Sequence, residues 1–302
     1  MRRAHEDARG RLLTVPSPHR LDQIRVQLLR QEDSIIFGWV KRAAYRRNES
    51  VYQPGSAPAS ESAGRPHLSL LDWHLEQTEL LHAKIRRYTS PDEHAFFPAA
   101  LPAPLLPSLS YSFSNPLPRY ADDINLNPAV MHAYLHQVLP AITEEGDDNN
   151  YGSTVLNDVA ALQALSKRIH FGKFVAEAKF RQTPQLFEPA IRAGDVAAVM
   201  AALTHPEQEE AVAARVARKA DGFMSSIKEA SAGSEAGGGE PAGLVTPQTV
   251  SRLWTELVMP LTKEVQVAYL MRRLEATQAE GQKPGTFVEG QARGRGAIGG
   301  FM

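Results

Sequence analysis

Arg168 and Lys179 stand eleven residues apart in the stretch RIHFGKFVAEAKF, residues 168–180. At about 100° per residue, eleven steps of an α-helix return almost to the same face, and at about 1.5 Å rise the Cα atoms lie roughly 16 Å apart. Two long cations so arranged can hold opposite ends of one small dianion. The residues between them include Ile169, Phe171, Phe174, Val175 and Ala178, so the stretch is expected to be buried. A buried cation without a partner is costly. The pattern therefore calls for a protein carboxylate or an anionic ligand. Spacing alone favours a plainer alternative, two solvated cations along an exposed edge.

Other polar residues carry two readings as well. Arg25, among Ile24, Val26 and Leu28, has the setting of a snorkelling arginine. Glu209 and Glu210 near a helix start suit the positive end of the helix dipole. Thr262 and Gln266, spaced i, i+4, share one helix face, where the modest expectation is a minor polar contact. The ten histidines form no HExxH pair, so no metal site is expected. There is no GxGxxG, P-loop or GxSxG pattern. Cations and hydrogen-bonding groups without an evident nucleophile suit a reaction driven by holding one substrate conformation.

The elements that must position these groups are helices. Ile24, Leu28, Ile35, Ile36, Trp39 and Val40 recur at amphipathic spacing. A second helix is expected over 68–87, with Leu71, Leu75, Thr78 and Leu81 or Leu80, His82 and Ile85 on its buried side, and Pro91 stops it. Residues 98–118 hold six prolines and suit an extended segment or long loop. Helices are expected near 127–141, as one long run over 154–180, then near 184–192, 195–203 and 206–228. Thr204 and Glu207 have capping-box spacing before that last one. A Gly/Ser/Ala linker spans 230–243, and Thr246 with Pro247 opens a final helix to about 277. The sequence shows no strand pattern or repeat. An all-α fold follows, with a flexible N-terminus over 1–18, one helical domain over 19–277 and a disordered tail over 278–302.

Composition excludes several functions. A charge of −1 over 302 residues suggests neither a nucleic-acid partner nor an anionic membrane. Without cysteine there are no disulfides and no thiolate catalysis. No apolar run reaches the roughly 18 residues of a membrane span. Glu6 and Asp7 among the N-terminal arginines argue against a signal or transit peptide, so the cytoplasm is the expected compartment.

Five segments together resemble the fungal and plant chorismate mutases. They are QIRVQLLRQEDSIIF (23–37), KIRRYTSPDEHAFFP (84–98), GDDNNYGSTVLNDV (146–159), LSKRIHFGKFVAEAKF (165–180) and PLTKEVQVAYLMRRLE (260–275). The resemblance covers nearly the whole chain from about 20 to 275. It implies an all-helical homodimer that rearranges chorismate to prephenate, without a cofactor, on the route to phenylalanine and tyrosine. By matched position, Arg25 and Arg168 would bind the substrate carboxylates, Lys179 the breaking ether oxygen, Glu209 the ring hydroxyl, and Thr262 would orient the substrate. Gln266 stands where the fungal pattern has a glutamate that must be protonated to donate. His205 stands where an asparagine is expected, which puts its substrate contact in doubt.

The resemblance also implies an effector site for tyrosine or tryptophan between subunits. Arg86, Arg87, Asn149, Asn150, Gly152 and Ser153 match it, and Thr246 matches a position that influences the switch between states. Leu156 replaces a threonine of the family pattern. Two rival readings are a non-catalytic helical dimer and a bifunctional mutase, the latter needing a domain that the glycine-rich tail cannot form.

Overall fold

The computed structural model describes residues 21–56, 67–107, 117–231 and 245–275. The expectations for the 1–18 segment, the 278–302 tail and almost all of the linker lie outside them. Helix α1, Leu21–Arg42, buries Ile24, Ile35, Ile36, Trp39 and Val40, the stripe its spacing predicts. Helix α2, Leu70–Lys84, starts where Ser69 Oγ accepts from Asp72 N at 3.0 Å. It stops before the expected Arg87, because Arg86 takes a left-handed φ of 70°. Leu71 and Leu75 are buried as expected, but the rest of the inward face differs. Glu76 and Glu79 turn inward, while Leu81 and Ile85 are 62% and 59% exposed. Glu79 has a reason to be there: its carboxylate accepts from Phe96 N and Phe97 N at 2.8 and 2.9 Å, pinning the segment that follows.

Helix α3, Asn127–Ala133, runs through a π-helical stretch, Tyr134–Val138, into α4, Leu139–Ile142. The single run expected over 154–180 is two helices, α5 at Tyr151–His170 and α6 at Gly172–Gln182, separated at Phe171. Helix α7, Pro184–Ala193, ends at Gly194 with φ 68°, and Asp195 caps α8, Val196–Leu203. Helix α9 spans Pro206–Ser231. The expected capping box does not form there, because Thr204 Oγ1 donates back to Met200 O at 2.9 Å. Thr246 does cap its helix, accepting from Thr249 N at 3.0 Å. That helix, α10 at Pro247–Leu253, passes through a π-helical stretch, Trp254–Val258, into α11, Met259–Met271. A proline, Pro140 or Pro260, follows each π stretch by two residues. Proline clashes with the carbonyl four residues back, and a π turn shifts that carbonyl aside.

Among the described residues the fold is all-α. Helix α1 packs along α5, α9 lies on α1 and α10, and α11 lies on α6 and α8. Trp39 and Trp254 meet edge to face at 6.3 Å where the α1 and α10–α11 layers join. No described helix is long and apolar enough to cross a membrane.

Candidate active site

The junction between α5 and α6 carries the first cation inward. Gly172 lets it sit hard against α11: a Cβ there would meet Thr262 O at 3.0 Å and Thr262 Cγ2 at 3.1 Å. One turn before the junction, Arg168 is 8% exposed. Its Nη1 lies 3.4 Å from Thr262 Oγ1, its guanidinium sits 5.8 Å above the Trp254 ring, and its Nε has no hydrogen-bond partner. Burial pushes this guanidinium down to about 10, although Glu32 opposes the shift. Glu32 is itself taken by Arg215, at 2.6 and 3.0 Å, and by Lys219 at 3.1 Å. Arg168 is thus a buried cation with no carboxylate of its own among the described residues.

Lys179 projects from α6 into the same space and donates to Leu203 O at 3.2 Å. Burial lowers its pKa, Lys263 adds to that, and Glu209 works against it. Helix α11 brings Thr262 and Gln266, 6% and 7% exposed. Thr262 Oγ1 donates to Val258 O at 2.6 Å, while no hydrogen bond within the described fold engages the Gln266 amide. Glu209, in the first turn of α9, pairs with Lys263 at 2.7 Å.

These groups line one cavity of ≈ 150 Å³. Arg168 and Lys179 contribute from α5 and α6; Thr262, Lys263, Gln266 and Met259 from α11; His205, Gln208, Glu209, Val212 and Leu203 complete the wall. The exposed-edge alternative for Arg168 and Lys179 fails on this geometry. Arg25 is the exception among the expected groups. Ile24 takes the inward position on α1, so the next residue, about 100° round, faces solvent and is not part of the lining. Lys263, Gln208 and the apolar wall were not singled out from the sequence. The signal for Lys263 was available, since it lies three residues before Gln266 on one helix face.

The expected effector residues lie elsewhere. Arg87 bonds Glu93, His82 and Gln163 at 2.9–3.0 Å, and Arg86 Nη1 bonds Pro107 O. None of these bonds reaches the turn over 149–153. That turn is built on Asp148, which accepts from Arg46 N, Asn48 Nδ2 and Asn150 N at 2.9 Å and is thereby held down to about 2. Asn149 sits at a left-handed φ of 60°, and Gly152 and Ser153 lie in the first turn of α5.

Comparison with known proteins gives a consistent result. Residues 152–267 match the family model for chorismate mutase type II. Chorismate mutase 1, chloroplastic, from Petunia hybrida is 46% identical over 255 residues, covering 84% of this chain and 76% of its own. The crystal structure of AtCM1 with tyrosine bound in its allosteric site aligns with TM-score 0.72 at 42% identity, covering 86% of this chain and 99% of that one. The Aro7p chorismate mutase from Candida albicans, in complex with L-Trp, aligns with TM-score 0.75 at 33% identity, covering 87% and 96%.

Proposed function

The chain belongs to the type II chorismate mutase family, and on that premise we propose that the cavity bounded by Arg168, Lys179, Glu209 and Gln266 rearranges chorismate to prephenate. In this isomerisation the ether C–O bond breaks as a C–C bond forms, and nothing is gained or lost. The observation that carries the reading is the buried, carboxylate-free Arg168 facing the same cavity as Lys179: two cations that form no ion pair within the described fold suit a dicarboxylate. Arg168 takes one carboxylate in a bidentate contact. Lys179 donates to the ether oxygen as negative charge grows on it, Glu209 accepts from the ring hydroxyl, and Thr262 orients the substrate. The levers are conformational restriction and electrostatic stabilisation. Arg25 acts here only if the first turns of α1 swing it in. His205 stands at the wall without a role assigned. The direct test is the fall in chorismate absorbance on adding purified protein.

Gln266 sets the pH response. A neutral amide donates equally at any pH, so activity holds from about pH 5 to 8. A steep decline there that fits one ionisation and disappears in Gln266→Ala would defeat this account. Gln266→Glu should introduce a decline, because a glutamate donates only when protonated and loses that proton as pH rises. In the unmodified protein the alkaline limit comes from Lys179, whose lowered pKa brings the loss of its ammonium below the ordinary lysine range.

Regulation is proposed to follow the two structural relatives that bind tyrosine and tryptophan. The effector would lie between Arg86 and Arg87 of one copy and Asn149, Asn150, Gly152 and Ser153 of another, with Thr246 influencing the switch. A homodimer supplies that arrangement. Leu81 and Ile85 on α2 and Leu156 on α5, 58–62% exposed on two helices that pack together, support a second copy there. Leu156 also alters the effector pocket, so discrimination between tyrosine and tryptophan differs from the family pattern. Rates at subsaturating chorismate should change with one of the two amino acids. Two flat titrations, or a sedimentation mass of one chain, would remove the shared site. For the compartment we propose the cytosol; the Petunia relative is named as chloroplastic, and fractionation with the full-length protein decides between the two.

A further inference from the structure

Two ammonium groups compete for one carboxylate in the cavity. Glu209 is the sole acidic residue of its lining, and Lys179 and Lys263 both face it. The contest has a definite outcome: Lys263 Nζ takes Glu209 at 2.7 Å, while Lys179 bonds a backbone carbonyl, Leu203 O. The Glu209 and Lys263 side chains are 31% and 21% exposed, so the pair stands at the cavity wall rather than on open surface. Arg168, Lys179 and Lys263 with Glu209 leave a surplus of two positive charges, the complement of a dianion.

We propose that Lys263 is a positioning residue for the mutase reaction. By holding Glu209, it fixes the acceptor for the ring hydroxyl and keeps that carboxylate off Lys179. Without it, Glu209 would be free to turn to the nearest remaining ammonium. A Glu209–Lys179 pair would remove the hydroxyl acceptor and occupy the ether-oxygen donor in one move. Lys263 would thus act through Glu209 and touch no reacting atom. This inference rests on the reading of Glu209 and Lys179 given above. The plain alternative is a half-exposed ion pair of negligible effect, the usual worth of such pairs.

The test compares Lys263→Met, Lys263→Arg, Glu209→Gln and the Glu209→Gln/Lys263→Met double variant, in the full chain with chorismate. Lys263→Met should lower kcat/KM by about 10- to 100-fold, the scale of a hydrogen bond to a charged group. Most of that loss should lie in kcat. Lys263→Arg keeps the charge on the carboxylate and should restore activity to within about fivefold of the unmodified chain. In the Glu209→Gln background the Lys263→Met change should cost less than about twofold, since coupled residues are not additive. The alkaline limb should move up in Lys263→Met, because Lys179 loses a repelling neighbour and gains a carboxylate. Arg168 and His205 are the other titratable groups of the lining, and both are unchanged in this comparison.

A Lys263→Met loss that persists undiminished in the Glu209→Gln background would overturn the proposal in favour of direct substrate contact. Activity within twofold of the unmodified chain would overturn it in favour of an idle ion pair. Melting temperatures accompany each assay, and Lys263→Gln replaces Lys263→Met should the latter not fold. An unmodified chain that leaves chorismate untouched would strike the mutase reading itself, and Lys263 with it.

Discussion

Replacing Lys179 with alanine should lower kcat/KM for chorismate by about 10²- to 10³-fold, the usual cost of deleting one preorganised donor to a developing anion. The loss corresponds to about 3–4 kcal/mol of transition-state stabilisation. It should fall on kcat, because charge accumulates on the ether oxygen only as the C–O bond breaks. The fold should survive the change. The one hydrogen bond lost within the protein is the 3.2 Å contact to Leu203 O, at a partly exposed side chain. Kinetics of Lys179→Ala beside its melting curve separate the two effects. Near-normal turnover with an unaltered melt would show that the ether oxygen finds its donor elsewhere, with Gln266 the first place to look.

The second large effect concerns stability, at a site remote from the cavity. Arg42 and Asp158 form an ion pair at 2.6 Å with both side chains 0% exposed. Asp158 also accepts from Tyr52 OH at 2.8 Å and Tyr134 OH at 2.7 Å. Arg42 also donates to the carbonyls of Tyr45, Arg46 and Arg47 at 3.0–3.1 Å. Asp158→Ala should cost about 3–5 kcal/mol, because it strands a buried guanidinium. Isolated buried pairs can often be replaced together by apolar residues without loss. Here that remedy should fail. An Arg42→Met/Asp158→Leu double variant would leave three carbonyls and two phenol hydroxyls without these partners. Urea unfolding should therefore place the double variant no closer to the unmodified chain than Asp158→Ala. Recovery of most of the stability would mean that water or neighbouring groups satisfy those atoms.

Much of the fold was legible because long amphipathic helices announce themselves by period. The α1 stripe ending in Trp39 and Val40 and the Thr246 cap both stand where the sequence puts them. What misled was local geometry set by distant partners. Arg168 and Lys179 do share a cavity, but the helical run that carries them is not unbroken. The run is interrupted at Phe171, and the contact beside the interruption, Gly172 against Thr262, joins residues far apart in sequence. On α2, periodicity favoured Leu81 and Ile85 over Glu79, since nothing local reveals that the Phe96 and Phe97 amides need an acceptor. Most cavity residues came from matched motifs rather than from spacing. Lys263 escaped because its meaning depends on Glu209, which lies on another helix. Arg25 came from the same motif matching, which aligns positions but does not say which way a side chain near a helix start points; here it is exposed and outside the lining.

The seam at Gly172 also bears on what the cavity can accept. Arg168 and Lys179 stand on either side of this seam, and what α6 rests on there is main chain, the carbonyl of Thr262. A side-chain wall can yield by changing rotamer; a helix backbone resting on another cannot. Discrimination by substrate length is then built into the frame. Among related chains, selectivity could be retuned by the angle at which two helices meet while every group lining the cavity stays the same.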